Sequence, residues 1–328
     1  MKKIFALLLS AALLVTLLAA CGGGNTTDTD TDTQEPAADA STTQVEEQEP
    51  DTGDASKDDP LNQDEIGEKE LLVVSFGTSY NDSRRETIGA IEKAMQTAFT
   101  DYSVRRAFTS QIIIDHVKDR DGVTIDNVEQ ALERAVNNGV KTLVVQPTHL
   151  MNGLEYEELT DELAKYSDSF EKIAIGDPLL TSDADFEAVM TAITDATKDA
   201  ADGKTAICFM GHGTEADSNS VYTKMQETLT AAGHTNYFVG TVEATPSLDD
   251  VIAAVKESGF KKVVLRPLMI VAGDHANNDM AGDEDGSWKT EFEKAGFEVT
   301  TVVEGLGGLT DIQNLFVAHA QAAVDSLK

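Results

Sequence analysis

The sequence predicts an α/β protein with two similar Rossmann-like halves, each a four-stranded parallel sheet flanked by helices, and a cleft between them. From residue 71 onward, short and continuously apolar runs alternate with longer amphipathic stretches. This pattern is typical of parallel strands that helices cover on both faces. In addition, segment 139–153 matches segment 259–273 without a gap, which indicates two copies of one unit.

Eight apolar runs are the predicted strands, and helical patterns fill the gaps between them. The strands are Leu71–Phe76, Val104–Ala107, Thr142–Gln146, Lys172–Ile175, Thr205–Met210, Tyr237–Val239, Lys262–Arg266 and Glu298–Val303. The helices include Asp82–Ala98, Asn127–Val136, Phe186–Thr197, Leu248–Lys256 and Ile312–Ser326. A chain of 328 residues is long enough for two such units, which we place at 71–201 and 202–328.

The repeat rests on short motifs. Each copy has a strand, a proline (Pro147 or Pro267), an apolar turn and a glycine. Upstream, segment 74–78 matches segment 209–211 or, in a shifted alignment, 213–214. Because an apolar strand followed by proline and glycine recurs by chance in α/β proteins, chance similarity is the alternative to duplication.

The first twenty residues predict a lipoprotein signal peptide. A basic start precedes an apolar run from Ile4 to Leu18, which is too short for a spanning helix. Leu18-Ala19-Ala20-Cys21 resembles the lipobox of bacterial lipoproteins. The resemblance implies cleavage before Cys21, a lipid on its thiol, and attachment to the outer face of the cytoplasmic membrane or on the periplasmic side. Plain secretion and an uncleaved anchor are the alternatives.

Residues 21–70 predict a disordered acidic tether. Between 22 and 70 there are 16 acidic residues, two lysines and almost no large apolar residue. The part from residue 71 is also acidic, with 42 acidic and 21 basic residues, so nucleic acid is excluded as a partner. An acidic surface is usually only a solvated one, and gathering of cations is the alternative. Cys208 lies in an apolar run, so we expect a buried thiol and no disulfide framework.

Two histidines and a glutamate follow predicted strands. His212 stands between glycines after the strand that ends at Met210, Glu243 ends a second strand, and His275 follows a third. Because open α/β sheets keep their chemistry at the carboxyl ends of strands, the three residues predict a metal site there. Each alone has a plainer reading, since such a histidine can cap a helix or shape a turn and acidic residues are common at strand ends.

With these motifs the chain resembles the class II tetrapyrrole chelatases, and within them the anaerobic cobalt chelatases that act on sirohydrochlorin. The motifs are Phe76-Gly77-Thr78-Ser79-Tyr80, Arg106-Ala107-Phe108-Thr109-Ser110, Asn152-Gly153-Leu154-Glu155-Tyr156-Glu157, Met210-Gly211-His212-Gly213, Val242-Glu243 and Pro267 to Met280. The resemblance implies that His212, Glu243 and His275 are the metal-binding and catalytic residues. It also implies ATP-independent insertion of Co²⁺, or of Fe²⁺, into a tetrapyrrole in anaerobic cobalamin biosynthesis.

The chemistry of these residues agrees with that expectation. Imidazole and carboxylate suit divalent Co, Fe, Ni or Zn, and no complete nucleotide-binding motif is present. Neutral histidine also suits the removal of two pyrrole protons near neutral pH. We expect His212 to be a ligand and proton acceptor, His275 a ligand and second acceptor, and Glu243 a ligand or an orienting carboxylate.

The predicted substrate cleft contains Arg106, His149 and Glu155. His149 aligns with Met269 in the repeat, and Glu155 aligns with His275. Arg106, with Arg105 and Arg266, is a candidate partner for tetrapyrrole carboxylates, and internal ion pairs are the alternative. The segment 277–288 predicts either a mobile lid or a plain surface loop. The sequence does not determine the oligomeric state, and a homo-oligomer is one of the alternatives.

A lipoprotein signal does not fit a cytoplasmic pathway, and this leaves two other functions open. One is a surface lipoprotein that captures haem, another tetrapyrrole or metal ions for uptake without catalysis. The other is a metal-binding lipoprotein that takes no tetrapyrrole. The three metal-binding residues favour catalysis, whereas the predicted location favours capture.

Overall fold

A computed structural model describes residues 52–328. The signal peptide at 1–20, Cys21 and the tether up to residue 51 lie outside the described residues, so these stay predictions. Within the described residues no helix is both long and apolar enough to span a membrane. The described residues form one compact unit.

Eight parallel strands form two sheets, as predicted. The first contains β1 (Lys69–Ser75), β2 (Ser103–Phe108), β3 (Thr142–Pro147) and β4 (Lys172–Ile175), in the order β2-β1-β3-β4. The second contains β5 (Thr205–Gly211), β6 (Tyr237–Thr241), β7 (Lys262–Pro267) and β8 (Glu298–Thr301), in the order β6-β5-β7-β8. The two sheets therefore have the same strand order.

Ten α-helices connect the strands within the described residues. They are α1 (Asn81–Glu86), α2 (Ile88–Ala98), α3 (Gln111–Asp121), α4 (Val128–Asn137), α5 (Leu154–Lys165), α6 (Asp183–Thr197), α7 (Ser220–Ala231), α8 (Leu248–Glu257), α9 (Trp288–Lys294) and α10 (Thr310–Ser326). A short π-helix, Ala276–Met280, lies between β7 and α9. Side-chain caps define several starts, such as Ser182 and Ser247, which form capping boxes at α6 and α8.

The strand register decides between the two alignments of the repeat. Val74 of β1 pairs with Pro147, and Met210 of β5 pairs with Pro267. Val74 therefore corresponds to Met210, which selects the shifted alignment and matches Gly77 with Gly213. Both glycines have positive φ, 105° and 91°, a conformation that favours glycine. The two halves are thus equivalent in strand order, in register and in the conformation of the glycine that follows the first strand of each sheet.

One core joins the two halves. It contains β1 residues such as Val73, β5 residues such as Phe209, and apolar residues of α6 and α10, including the fully buried Phe316. Smaller cores cover the other faces of the sheets, and Cys208 lies buried in one of them, as predicted. Burial of both faces explains why the strands are continuously apolar.

The tether prediction is wrong for residues 52–70. Asp58 accepts hydrogen bonds from Arg84 Nε at 2.7 Å and Arg106 Nη1 at 2.6 Å. Leu61 is buried in the core that joins the two halves. β1 then begins at Lys69, so this segment packs on the folded unit. Composition did not predict this, because the partners of Asp58 are distant in sequence.

The segment predicted as a lid or a surface loop begins and ends in the core. Met280, at the end of the π-helix, and Trp288, at the start of α9, are both buried in one cluster with Phe292. Between them the chain turns at Gly282 and Gly286, and the acidic residues 283–285 are exposed. The segment is therefore held at both ends.

Candidate metal centre

Three adjacent strands place the three predicted metal-binding residues at one edge. His212 follows β5 directly, Glu243 lies two residues after β6, and His275 lies in the segment between β7 and α9. Since β5 lies between β6 and β7, the carboxyl ends of the three strands are neighbours. The backbone N–H groups of Val242 and Glu243 donate to the carbonyl of His212 at 3.1 and 2.9 Å, which ties the first two loops together.

Glycine is required on both sides of His212 because other atoms of the protein lie where a Cβ atom would be. A Cβ at Gly211 would lie 2.0 Å from the ring of Tyr222, and one at Gly213 would lie 2.8 Å from the backbone nitrogen of Ala244. The Tyr222 hydroxyl in turn accepts a hydrogen bond from Gly213 N at 3.3 Å. These contacts fix the turn that presents the His212 ring to solvent.

The three side chains form a compact set of donors. One ligand atom from each of His212, Glu243 and His275 lies within 4.8 Å of the others, and no other group of three or more such residues occurs between 52 and 328. The two imidazole rings are 4.6 Å apart between centroids and nearly perpendicular, at 82°. The side chains are partly exposed, 47% for His212 and 35% for His275, so a ligand can reach them.

Hydrogen bonds fix the same tautomer on both histidines. His212 Nδ1 lies 2.7 Å from the carbonyl oxygen of Gly213, and His275 Nδ1 lies 2.7 Å from Asp279 Oδ2. A carbonyl and a carboxylate only accept, so both Nδ1 atoms carry the proton and donate it. A neutral ring with this tautomer carries its free lone pair on Nε2, which is the arrangement of histidine ligands.

The geometry suits one divalent transition metal. Two nitrogens and one carboxylate oxygen can converge on an ion at typical distances of about 2.0–2.2 Å with small side-chain movements. Three protein ligands leave coordination positions open for other donors. The set can thus hold a metal and release it.

The first half contributes His149 and Glu155 near this edge. His149 follows β3, its ring nitrogens are buried without a hydrogen-bond partner, and burial lowers its pKa to about 4. Glu155 lies in the first turn of α5, and its charge acts on both His149 and Tyr222. Glu155 is therefore close to the residue that supports the His212 turn. A role for either residue in substrate binding stays a prediction.

The structure does not support Arg106 as a cleft residue. Its guanidinium is buried and pairs with Asp58 at 2.6 Å and Glu92 at 2.7 Å, and these carboxylates hold its pKa above the usual value despite burial. Arg105 and Arg266 are also buried. Arg105 pairs with Asp126 and Glu70, and Arg266 pairs with Glu304. All three arginines form the internal ion pairs that were the alternative prediction.

Sequence reasoning missed the role of Asp279. It lies four residues after His275 in the π-helix, so the spacing i to i+4 was a signal for a contact between the two side chains. Sequence reasoning also missed the hydrogen bond between His319 Nε2 and Asp185 Oδ1 at 3.0 Å, which joins α10 to the start of α6. That pair is distant in sequence and left no local signal.

Comparisons with known proteins identify the family and agree with the fold. Residues 69–325 match the family model described as cobalt chelatase (CbiK). The chain is 38% identical over 257 residues to the sirohydrochlorin cobaltochelatase of Salmonella typhimurium strain LT2, covering 78% of this chain and 97% of that protein. It is 29% identical over 261 residues to the sirohydrochlorin cobaltochelatase CbiKC of Nitratidesulfovibrio vulgaris strain Hildenborough, covering 79% and 92%.

Solved structures support the same architecture. SirB from Bacillus subtilis with Fe³⁺ superposes with a TM-score of 0.57 at 15% identity, covering 79% of this chain and 97% of that one. At this identity the likeness shows the fold alone. The matched family model covers most of the sequence, and the Salmonella relative is matched over almost its whole length. The chain therefore belongs to the CbiK family of cobalt chelatases.

Proposed function

We propose that this protein inserts Co²⁺ into sirohydrochlorin without a nucleotide, with His212, Glu243 and His275 as the residues that hold and transfer the metal. The observation that carries the proposal is the convergence of three donor atoms within 4.8 Å at the edge where both sheets end. Membership of the cobalt chelatase family, and two relatives that are sirohydrochlorin cobaltochelatases, support the choice of metal and tetrapyrrole.

The proposed reaction exchanges one divalent cation for two protons. Co²⁺ leaves the protein ligands for the four ring nitrogens, and two pyrrole nitrogens lose their protons, so charge balances. Each imidazole that releases the metal regains a free Nε2 lone pair, which can then accept a proton from the ring. Because Nδ1 is already protonated on both histidines, Nε2 is the atom that serves in both roles. Glu243 completes the set as a ligand or as a carboxylate that orients His212.

The experiment is an anaerobic spectrophotometric assay of the full-length protein in detergent with sirohydrochlorin and Co²⁺. We expect multiple turnovers in the wild type and a loss of at least about 100-fold in His212→Ala, because removal of a proton acceptor typically costs 10²–10⁴-fold. His116→Ala is the matched control, since His116 is an exposed histidine on α3 and is not part of the candidate metal centre. Equal rates in the wild type and a folded His212→Ala variant would contradict the assignment.

Capture without catalysis is the second candidate. It is favoured by the Leu18-Ala19-Ala20-Cys21 sequence, which predicts a location across the membrane from a cytoplasmic pathway. A spectral shift that stops at one tetrapyrrole per protein, without turnover, would support capture over insertion. A protein that binds Co²⁺ and leaves the tetrapyrrole spectrum unchanged would support the metal-binding alternative.

We also propose that the protein is exported and anchored through lipid on Cys21. The lipobox-like tetrapeptide supports this, and so does the acidic, apolar-poor sequence that follows it. In a bacterial host, we expect the wild type in the membrane fraction, and Cys21→Ser in the soluble fraction or retained as an uncleaved precursor. Metabolic labelling with a radioactive fatty acid distinguishes the cases. Absence of label on the wild type would refute the anchor.

A further inference from the structure

A segment outside the family match packs along the first sheet. Residues 52–66, which we call the strap, precede β1, whereas the family match begins at the first residue of β1. The strap lies beside β2, which is an edge strand of its sheet. The carbonyl of Leu61 accepts a hydrogen bond from Arg106 N at 3.2 Å, and Gln63 Nε2 donates to the carbonyl of Val104 at 3.4 Å. The strap therefore covers polar groups that an edge strand would otherwise expose.

Asp58 holds the strap in place. Its side chain is 3% exposed, and it accepts hydrogen bonds from Arg84 Nε at 2.7 Å and from Arg106 Nη1 and Nη2 at 2.6 and 3.0 Å. Burial raises the pKa of Asp58, but the two guanidinium groups lower it more, so the pKa lies below its usual value and the carboxylate is ionised at neutral pH. Removal of one partner from a buried ion pair leaves the other charge without compensation. Arg106 keeps Glu92 as a second partner, so we expect the larger effect of losing Asp58 on Arg84.

Arg84 extends this contact to the carboxyl edge of the first sheet. It is fully buried on α1, and its Nη1 donates at 3.0 Å to the carbonyl of Thr78, which lies in the turn after β1. The strap also contacts the start of α1 directly, because the carbonyl of Thr52 accepts a hydrogen bond from Asp82 N at 2.9 Å. The strap thus fixes both the turn at Thr78 and the first turn of α1.

The same turn and helix hold the segment that leads to His275. Ala272 N donates to Ser83 Oγ of α1 at 2.9 Å. A Cβ at Gly273 would lie 3.1 Å from Thr78 Oγ1, so the backbone of the second half lies directly against the turn of the first. His275 follows Gly273 by only two residues. Its position therefore depends on where the backbone at 272–273 is held.

We propose that Asp58 is a positioning residue for the metal centre. By holding Arg84 and α1, it sets the place of the His275 ring relative to the other two ligands. The inference rests on the proposed function and adds a segment outside the family match to the parts that the site needs. Contacts that orient metal ligands typically contribute about 10–100-fold to metal affinity. Asp58 acts through α1 and not on the His275 ring itself, so we expect its effect at the lower end of that range.

The first experiment titrates the full-length protein in detergent with Co²⁺ alone and follows the visible absorption bands of the bound ion. Asp58→Asn removes the charge and keeps the size of the side chain. Asp64→Asn is the matched control, since Asp64 is also on the strap but forms an exposed ion pair with Arg134 at 2.8 Å. We expect Asp58→Asn to raise the Kd for Co²⁺ about tenfold and to change the bands, and Asp64→Asn to change neither. A folded Asp58→Asn variant with the wild-type Kd and bands would overturn the proposal.

Ser83→Ala tests the same route with the strap left intact. It removes the hydroxyl that accepts from Ala272 N, a smaller change than the loss of a buried charge, and we expect a several-fold rise in the Kd for Co²⁺. Because both substitutions loosen the same contact, the variant that combines Asp58→Asn with Ser83→Ala should lose less affinity than the product of the two single losses. A wild-type Kd in Ser83→Ala, or losses that multiply in the double variant, would contradict the route through α1.

Hydrogen exchange of the metal-free protein reports on the same segment without any ligand. The Ala272 amide is buried and hydrogen-bonded to Ser83, so it should exchange slowly in the wild type and several-fold faster in Asp58→Asn. Amides of the buried strand β5 serve as the reference, because they would exchange faster only if the whole fold were less stable. An equal loss of protection in β5 and at Ala272 would make Asp58 a purely structural residue and refute its positioning role.

Failure of this proposal is distinguishable from failure of the proposed function. The Co²⁺ titration and the hydrogen exchange use no tetrapyrrole, whereas the insertion assay depends on the His212→Ala comparison. Turnover in the wild type, together with unchanged Co²⁺ binding in Asp58→Asn, would leave the chelatase intact and overturn only the positioning role.

Discussion

The two halves have the same scaffold but different residues at the same edge. Ser75 pairs with Phe108 as Gly211 pairs with Thr241, and the 120-residue offset between the aligned copies, 139–153 and 259–273, extends to His275. The equivalent pairs are Phe76 and His212, Ser110 and Glu243, and Glu155 and His275. The second half therefore has the three candidate metal-binding residues where the first has an aromatic ring, a hydroxyl and one carboxylate. The fold duplicates the place for a site, and the side chains decide what each copy does.

The backbone after the third strand differs in the same way. Glu155 opens the regular helix α5, and the residue four positions later, Leu159, is buried in the core. His275 instead precedes the π-helix, and Asp279, four positions later, accepts the hydrogen bond from its Nδ1. Irregular helical turns of this kind are frequent at functional sites, and such outer contacts fix the tautomer of a ligand. In the second half the candidate ligand His275 thus has a supporting residue, whereas its counterpart Glu155 has none at the same spacing.

The comparison predicts a large asymmetry between equivalent substitutions. His275→Ala should lower kcat/KM for Co²⁺ insertion at least about 100-fold, since it removes a proposed metal ligand and proton acceptor. Glu155→Ala should change it less than about fivefold, because Glu155 can contribute only charge near the cleft. The measurement is the initial rate of insertion, together with visible spectra of bound Co²⁺, which His275→Ala alone should change. Similar losses in both variants would mean that the first half also handles the metal.

Local pattern was enough to predict most of the fold. Every predicted strand is present, with ends shifted by a few residues, because strands buried on both faces are continuously apolar. The sequence did not predict that residues 52–70 pack on the folded unit. Asp58 there is held by Arg84 and Arg106, and ion pairs between distant residues leave no trace in composition.

The candidate site was predicted in part. His212, Glu243 and His275 were predicted to meet because each follows a strand, and the sheet order brings those strand ends together. Arg106 was misplaced because an arginine in a strand looks the same in sequence whether its partner is a ligand or a buried Glu92. Whether an arginine binds a ligand or stabilises the fold can be decided only when the groups that contact its guanidinium are known.

The smallest predicted effect concerns His149 and its counterpart Met269. Burial lowers the pKa of His149 from 6.5 to about 4, so the unfolded chain binds a proton at a higher pH than the folded protein does. The free energy of unfolding should therefore fall as pH drops from about 6.5 to about 4, by at most about 3 kcal/mol from this residue.

His149→Met introduces the side chain that the second half has at Met269, and it should remove the part of the decline that His149 causes. The decline is measured from the urea midpoints of unfolding at pH 7.5 and 4.5. Protonation of Asp and Glu side chains contributes equally in the wild type and in His149→Met, so the difference between the two proteins reports on His149. His116→Met, at an exposed position on α3, should keep the wild-type decline. If His149→Met shows the same fall in unfolding free energy as the wild type, His149 is accessible to protons in the folded state. His149 then belongs to the solvent-facing part of the cleft.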